Sequence, residues 1–371
     1  MTPDGDTPRP NDPAEVPDDV FLAEPDYEQP RPNDLAEVPD DPVDFMAWAL
    51  DRGWGDGLPL IPPTPERVSR FTAAAGRPAD SVLLEVPPAN AWCTVEKLAV
   101  NACMAGAAPE AMPLMMAALE AMAERPFDLF ALNTTTSSVV PCLFVNGPAR
   151  DRLDLPYRAG CFGGAAGAGP AIGRALRLVM RNVGGQVVGE TSKCVLGQPA
   201  RVVGLVMGEW EERSPWPPLA ERRGASGDAV TVYGTIGTMD IADIAANDGP
   251  SLAWVIGQSL AYVGTNAYIS HWGAEVMVVV PPPWAAMLAA SYPSLEDVQE
   301  ALWSNACHRV DEFPETHQKW LAERNRVSPD GTAYIVEQPS DVIVMCAGGL
   351  GNLHAGGLHS FGPTRAITRP F

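Results

Sequence analysis

The chain reads as an α/β protein, a layered mixed or mainly parallel sheet with helices on both faces, in an organisation that allows two similar α/β halves. Three observations predict this class. Short, continuous apolar runs rich in β-branched residues recur along the chain, the pattern of strands buried on both faces. Segments of helical apolar period lie between them, and strands that alternate with helices imply layers around a sheet. The runs at Val139–Val145 (VVPCLFV), Glu275–Val280 (EVMVVV) and Asp341–Cys346 (DVIVMC) each end in glycine or proline punctuation, Asn146-Gly147-Pro148, Pro281-Pro282-Pro283 and Ala347-Gly348-Gly349.

The elements follow in order. Residues 1–43 are expected to be a disordered acidic tail. The first 44 residues hold 14 Asp/Glu against 2 Arg, together with ten prolines, and such a segment buries too little apolar surface to offset its ordering entropy. Arg9–Asp19 (RPNDPAEVPDD) is nearly repeated at Arg31–Asp41 (RPNDLAEVPDD), too few copies for a solenoid. An N-terminal α/β half is expected over 44–228 and a C-terminal half with a His/Gly-rich end over 229–371. Phe45–Arg52 reads as a short helix. Thr64 caps the next, with Pro65 at its first position. Val95–Glu124 reads as helix in two pieces broken near Gly106–Pro109, its methionines spaced for core packing rather than for copper. Further helices are expected at Ile172–Asn182, Pro250–Tyr268, Trp284–Ala290 and Leu295–His308, and further strands at Arg201–Met207 and Ala229–Gly234. The connection between Met207 and Ala229 carries Trp210 and Trp216 and reads as a plain loop, a lid or a subunit contact.

Composition narrows the function. The net charge is −21, and nucleic-acid binding needs basic surface. No apolar run approaches the roughly 18–20 residues that span a bilayer, and the acidic, proline-rich beginning is the opposite of a secretory signal, so a cytoplasmic location is expected. The seven cysteines are scattered, odd in number and lack C-x-x-C, which fits reduced thiols rather than a disulfide framework or structural zinc.

The most site-like stretch is Gly160–Gly197. Its glycine-rich loop, with Gly163, Gly164 and Gly167, runs into the Ile172 helix through Pro170. Glycine lets backbone approach a ligand, and a helix N-terminus offers free N–H groups and partial positive charge. The loop matches neither G-x-x-x-x-G-K-[ST] nor G-x-G-x-x-G, so a carboxylate-bearing ligand fits it better than a nucleotide. Cys161 in that loop sits where helix N–H groups and Arg158 or Arg174 could lower a thiol pKa. Glu190, Lys193 and Cys194 lie within five residues and offer acid–base or thiol chemistry. Thr134, Thr135 and Thr136, continued by Ser137 and Ser138, can bind a polar substrate or equally satisfy loop backbone. Asn146 adds an amide at a strand end. His271 precedes one buried strand, and His354 and His359 flank a glycine loop beyond the last one. They are candidates for a general base, or for a metal with a carboxylate as further ligand, although no tight metal spacing occurs. Arg365 and Arg369 near the end could hold a carboxylate or pair with the acidic surface. Cys307, His308 and His317 read as structural.

Several stretches stand out together: Trp54-Gly55-Asp56-Gly57-Leu58-Pro59 with Pro62-Pro63-Thr64, Asn133–Thr136, Val145-Asn146-Gly147-Pro148, IGRALRLVMRNVGG at Ile172–Gly185, Leu196-Gly197-Gln198-Pro199, and the ending A-G-G-x-G-x-x-H with T-R-x-x-T-R-P. As a set they resemble a family of bacterial α/β proteins often labelled thiol-disulfide oxidoreductases and associated with small selenoproteins or thiol proteins that bear a U-G-S-C or C-G-S-C motif. The resemblance covers roughly Phe45–Phe371. This chain has no C-G-S-C, so the resemblance implies that a reactive thiol or selenol could come from a partner subunit. The expected function is therefore an enzyme acting on a small polar or carboxylate-bearing molecule by thiol-linked redox or carbon–heteroatom lyase chemistry. The pocket is expected to be composite, lined by the glycine loop, the hydroxyl run, Glu190–Cys194 and the C-terminal histidines. The alternatives are a non-catalytic subunit for a small thiol or selenol protein and a metal-dependent hydrolase or lyase using the histidines. No cofactor is evident, and a homodimer is expected over a monomer.

Overall fold

The computed structural model describes residues 36–269 and 274–371. The acidic tail therefore falls almost wholly outside the described residues, as does His271. Val38–Phe371 pack as one unit around a mixed seven-stranded sheet, the α/β architecture expected. Eleven strands are present among the described residues: β1 (Val82–Val86), β2 (Ala91–Thr94), β3 (Val140–Asn146), β4 (Leu205–Gly208), β5 (Ala229–Ala242), β6 (Val276–Val280), β7 (Cys307–Arg309), β8 (Thr332–Tyr334), β9 (Val342–Cys346), β10 (His354–Ser360) and β11 (Ile367–Pro370). The main sheet has the order β4-β3-β5-β10-β6-β9. β11 adds to β5 where β10 leaves off, and β1/β2 and β7/β8 form separate antiparallel pairs.

The order contains a repeat. β3 and β4 are parallel and β5 returns antiparallel to β3. β6 and β9 are parallel and β10 returns antiparallel to β6. Each group thus runs strand, crossover, parallel strand, antiparallel return, and the two groups meet where β5 pairs with β10. Parallel neighbours need such crossovers because a tight hairpin cannot join them.

Local signals set the helix ends. Thr64 accepts from Arg67 N and Gly76 ends that helix in the left-handed region at φ +64°. Thr94 accepts from Lys97 N, and Gly106 at φ +80° ends Val95–Ala105. Met112–Met122 follows, so the break expected near Gly106–Pro109 is present. Ser294 and Asp297 form a capping box on Leu295–Asn305. Met104, Met112, Met115, Met116 and Met122 are buried in the core beside the sheet.

Strand alternation separates two faces. Leu143, Val145, Val230 and Val232, then Val276, Val278, Val342 and Val344, pack beneath helices. Cys142, Phe144, Tyr233, Met277, Ile343 and Leu358 face the other way and meet Cys161, Phe162 and Leu219. The 208–228 connection closes part of this second face. Leu219 packs into it, Trp210 stacks edge-on against Tyr157, and Glu209 accepts from Leu219 N at 2.7 Å, whereas Trp216 is buried in the cluster of Val276, Val278 and Val344.

Several elements differ from expectation. Arg201–Met207 is a helical turn (Ala200–Val203) followed by β4, because Gly204 turns the chain at φ +67° against Gly173 of the adjacent helix. The helix expected over Pro250–Tyr268 stops at Leu260, and that over Leu295–His308 stops at Asn305 before β7. His354–Ser360 (HAGGLHS) is strand β10 rather than the expected glycine loop, although its glycines carry no strand propensity. They are needed there: a Cβ on Gly356 would lie 2.1 Å from the Phe162 ring, and one on Gly357 2.9 Å from Met239 Cε. Among the described residues no helix is long and apolar enough to cross a membrane.

Candidate functional site

The single composite pocket expected from the sequence resolves into two clefts. The first, about 490 Å³, lies at the C-terminal ends of the parallel pair β6/β9, where Pro281 and Ala347–Gly349 leave the sheet, the usual ligand position in open α/β sheets. β5 and β10 supply Thr238, Asp240, His354 and Gly356, and Ala159–Gly163 form a wall. His354 Nδ1 lies 3.1 Å from Asp240 Oδ1, both well exposed. This cleft brings together the glycine loop and the C-terminal His/Gly segment, as expected, but without the hydroxyl run. Its thiol is unsuited to attack: burial pushes Cys161 up to about 11, against smaller help from the Cys161 and Phe162 N–H groups.

The loop's anion cradle is also absent from both clefts. Gly163 borders the first cleft, whereas Gly164 and Gly167 do not line it. Gly167 is glycine because a Cβ would meet Asp154 O at 2.4 Å. The helix begins at Gly169 and its first turn packs on β4, with the Gly169 Cα side 2.6 Å from Val206 O for any added Cβ. None of Ala168–Ile172 lines either cleft, so this helix N-terminus does not face a ligand there.

The second cleft, about 300 Å³, is lined by Arg177, Arg181, Arg201, Cys194, Gln186 and Gln198 among others. The helix Gly169–Asn182 positions two of its arginines. Arg174, Arg177 and Arg181 stand at i, i+3 and i+7, one stripe of the helix surface. Their partners differ. Arg174 is held by Asp56 through Nε and Nη2, both 2.7 Å, and by Pro59 O and Leu58 O. It is a clamp on the Trp54–Pro59 turn, not a substrate ligand. Arg181 reaches Gly53 O. Arg177 donates from Nε to Arg201 O at 2.9 Å and from Nη2 to Gln186 Oε1.

Cys194 is the half-buried thiol of this cleft. Its Sγ lies 3.5 Å from Ser138 Oγ. Burial opposes ionisation, but the Ser138 hydroxyl, Arg201 and the Gly197 N–H outweigh it and bring the thiol below its ordinary value. The position is braced: Lys193 N donates to Thr134 O, Val195 N to Thr136 O, and Arg201 to Ser192 Oγ at 3.3 Å. The hydroxyl run and the 190–194 segment therefore do meet, through backbone and through Ser138.

The remaining candidates take other roles. Thr134 Oγ1 donates back to Phe130 O at 2.9 Å and Thr135 Oγ1 accepts from Ser137 N, the local satisfaction that short hydroxyl residues favour. Thr136 is exposed. Asn146 is buried, donating to Glu209 and Glu211 and accepting from Ala220 N, so its amide is used by the fold. Glu190 and Lys193 are exposed, line neither cleft, and are not joined by an ion pair among the described residues. Arg365 is tied to Asp341, and to Glu275 at 3.6 Å, and Arg369 to Glu124.

His354 and His359 are not a pair. They sit five residues apart on β10, and a strand puts odd separations on opposite faces. His359 is buried, donates from Nε2 to Leu260 O at 2.7 Å and stacks edge-on with Tyr262. Burial lowers its pKa, against the smaller effect of the Leu260 carbonyl. Among the described residues no group of three or more His, Cys, Asp and Glu is placed to hold a metal ion. Their substitution separates the two roles. His359→Ala is expected to cost about 2 kcal/mol or more of unfolding free energy in urea titration, and His354→Ala less than about 1 kcal/mol. Because the folded pKa of His359 is the lower one, its contribution is full above the ordinary 6.5 and fades as pH falls through the folded value.

Sequence reading named Cys194 and placed the hydroxyl run that ends at Ser138 in the same pocket, but missed Arg177 and Arg201 as its neighbours. The missed signal was the arginine spacing on an otherwise apolar helix. No protein-family model matches the chain, and no curated protein is significantly similar to it.

Proposed function

We propose that this protein is a thiol-dependent oxidoreductase that acts on a small molecule in the second cleft, with Cys194 as the nucleophile. The observation that carries this reading is the Cys194 environment: a half-buried thiol at a cleft, beside Ser138 Oγ and Arg201, with its pKa lowered. The thiolate, not the thiol, attacks sulfur. In the reaction, the Cys194 thiolate forms a bond to one sulfur of a small disulfide as the S–S bond breaks, and the other sulfur leaves as a thiolate. A second small thiolate then attacks the mixed disulfide, releases Cys194 and forms a new disulfide. The net change is an exchange with no electrons left over. Ser138 and Arg201 stabilise the charge each time it returns to Cys194.

The rival reading, in which a partner subunit brings the reacting thiol, has one observation in its favour: Val188, Val195 and Leu196 are exposed beside the cleft. One experiment separates the two. The isolated chain is mixed with 2,2′-dithiodipyridine at neutral pH. A fast phase of one equivalent that disappears in Cys194→Ser supports the proposal. Uniformly slow release from all seven cysteines refutes it and leaves the partner reading.

A further inference from the structure

Arg177 is the group in this cleft that the fold leaves uncompensated. It is 8% exposed, yet no carboxylate pairs with it or with Arg201 among the described residues. Its Nη1 has no hydrogen-bond partner among the described residues, whereas Nε and Nη2 are taken by Arg201 O and Gln186. A buried cation without counter-charge is costly, and one arginine beside another adds repulsion. Asp56 borders the same cleft, but both of its oxygens are held by Arg174. With Cys194 ionised, the pair Arg177 and Arg201 still carries one positive charge in excess.

We propose that Arg177, with Arg201, is a carboxylate-binding site beside Cys194, so that the substrate of this thiol is a small carboxylate-bearing molecule. The inference rests on the reading of Cys194 as the nucleophile. A guanidinium fork fits a planar carboxylate with two parallel N–H bonds, and a negative charge there offsets the positive excess of the cleft. Leu178, Val188, Val195 and Val202 on the cleft wall suit a short aliphatic body, and about 300 Å³ is the lower end of small-molecule sites. Burial, then Arg201, lowers the pKa of Arg177, and the negative charge of Cys194 is what opposes them, as a bound carboxylate would further.

Iodoacetate and iodoacetamide test this, since they transfer the same methylene carbon with and without a carboxylate. In each, the Cys194 sulfur bonds to carbon as iodide leaves. The ratio of the two rates at Cys194, read by peptide mass spectrometry, cancels the thiolate fraction. The expected result is a ratio about tenfold or more above that of free cysteine, with saturation in iodoacetate, falling to the free-cysteine ratio in Arg177→Met. Arg201→Met gives the same comparison where Arg177→Met fails to fold. A ratio like that of free cysteine in the wild-type protein overturns the carboxylate site while leaving the thiol reading intact. Slow reaction with both reagents overturns the thiol reading instead. A readout independent of the thiol is the melting temperature of Cys194→Ser in propionate. It is expected to rise with propionate above a sodium chloride control of equal ionic strength, and an unchanged value overturns the site.

Discussion

Arg201→Met is expected to move the reactivity of Cys194 to higher pH. In the wild-type protein the rate of alkylation by iodoacetamide is expected to rise with pH and to level off at a lower pH than for an ordinary thiol, because Ser138, Arg201 and the Gly197 N–H together outweigh the burial that opposes the thiolate. Removing the guanidinium leaves burial opposed only by the hydroxyl and the Gly197 N–H, and the midpoint rises. Each unit of increase cuts the thiolate fraction at pH 7 about tenfold. A more basic thiolate is also a better nucleophile, with a Brønsted slope of about 0.4–0.5, so the net loss is about threefold per unit at pH 7. Above the new midpoint the variant reacts as fast as the wild-type protein or faster. A uniform loss at every pH would instead mean that the substitution disturbed the cleft rather than the ionisation. Ser138→Ala is the companion variant: it removes the hydroxyl 3.5 Å from Sγ and shifts the profile the same way.

The second large effect concerns stability. Asp56→Ala removes one partner of a pair whose side chains are only 9% and 14% exposed, and leaves Arg174 charged and enclosed. Breaking a buried pair from one side costs about 3–5 kcal/mol, and the midpoint of urea unfolding should fall accordingly. The double variant Asp56→Ala/Arg174→Met should be less destabilised than the two single losses combined, because no orphaned charge remains. A fully additive double variant would remove the buried-pair explanation. The pH dependence follows from the same contact. Burial raises the Asp56 pKa, but Arg174 and the Leu58 N–H outweigh it, so the folded value is below the ordinary 3.8. The stabilisation is full above 3.8 and is lost as pH falls through the folded value, a loss that Asp56→Asn should lack.

These two sites show how unevenly the molecule was legible. The buried strands VVPCLFV, EVMVVV and DVIVMC, and the capped helices after Thr64 and Ser294, declare themselves through local pattern and caps. β10 did not, because its glycines are explained only by Phe162, Met239 and Leu260 packing against them from distant parts of the chain. The same blindness misplaced His354 and His359: on a loop they could converge, on a strand they cannot. Asn146 and Arg365 looked like ligands because their chemistry suits ligands, and the fold used that chemistry on Glu209 and Asp341.

By itself, then, the sequence determined the α/β class, the positions of its principal buried strands and the chemical types present, because apolar period, caps and residue chemistry act over a few residues. Only the tertiary structure decided which of those groups meet. Ser138 and Cys194 are 56 residues apart, and Arg177 is 24 from Arg201. They converge because the Gly169–Asn182 helix meets the turn just before β4 at Gly173 and Gly204, with no side chains between them, and turns its arginine stripe toward Asp56, Gln186 and the Cys194 segment. Partner choice among charged groups is a matter of distance and burial, and both are properties of the assembled fold.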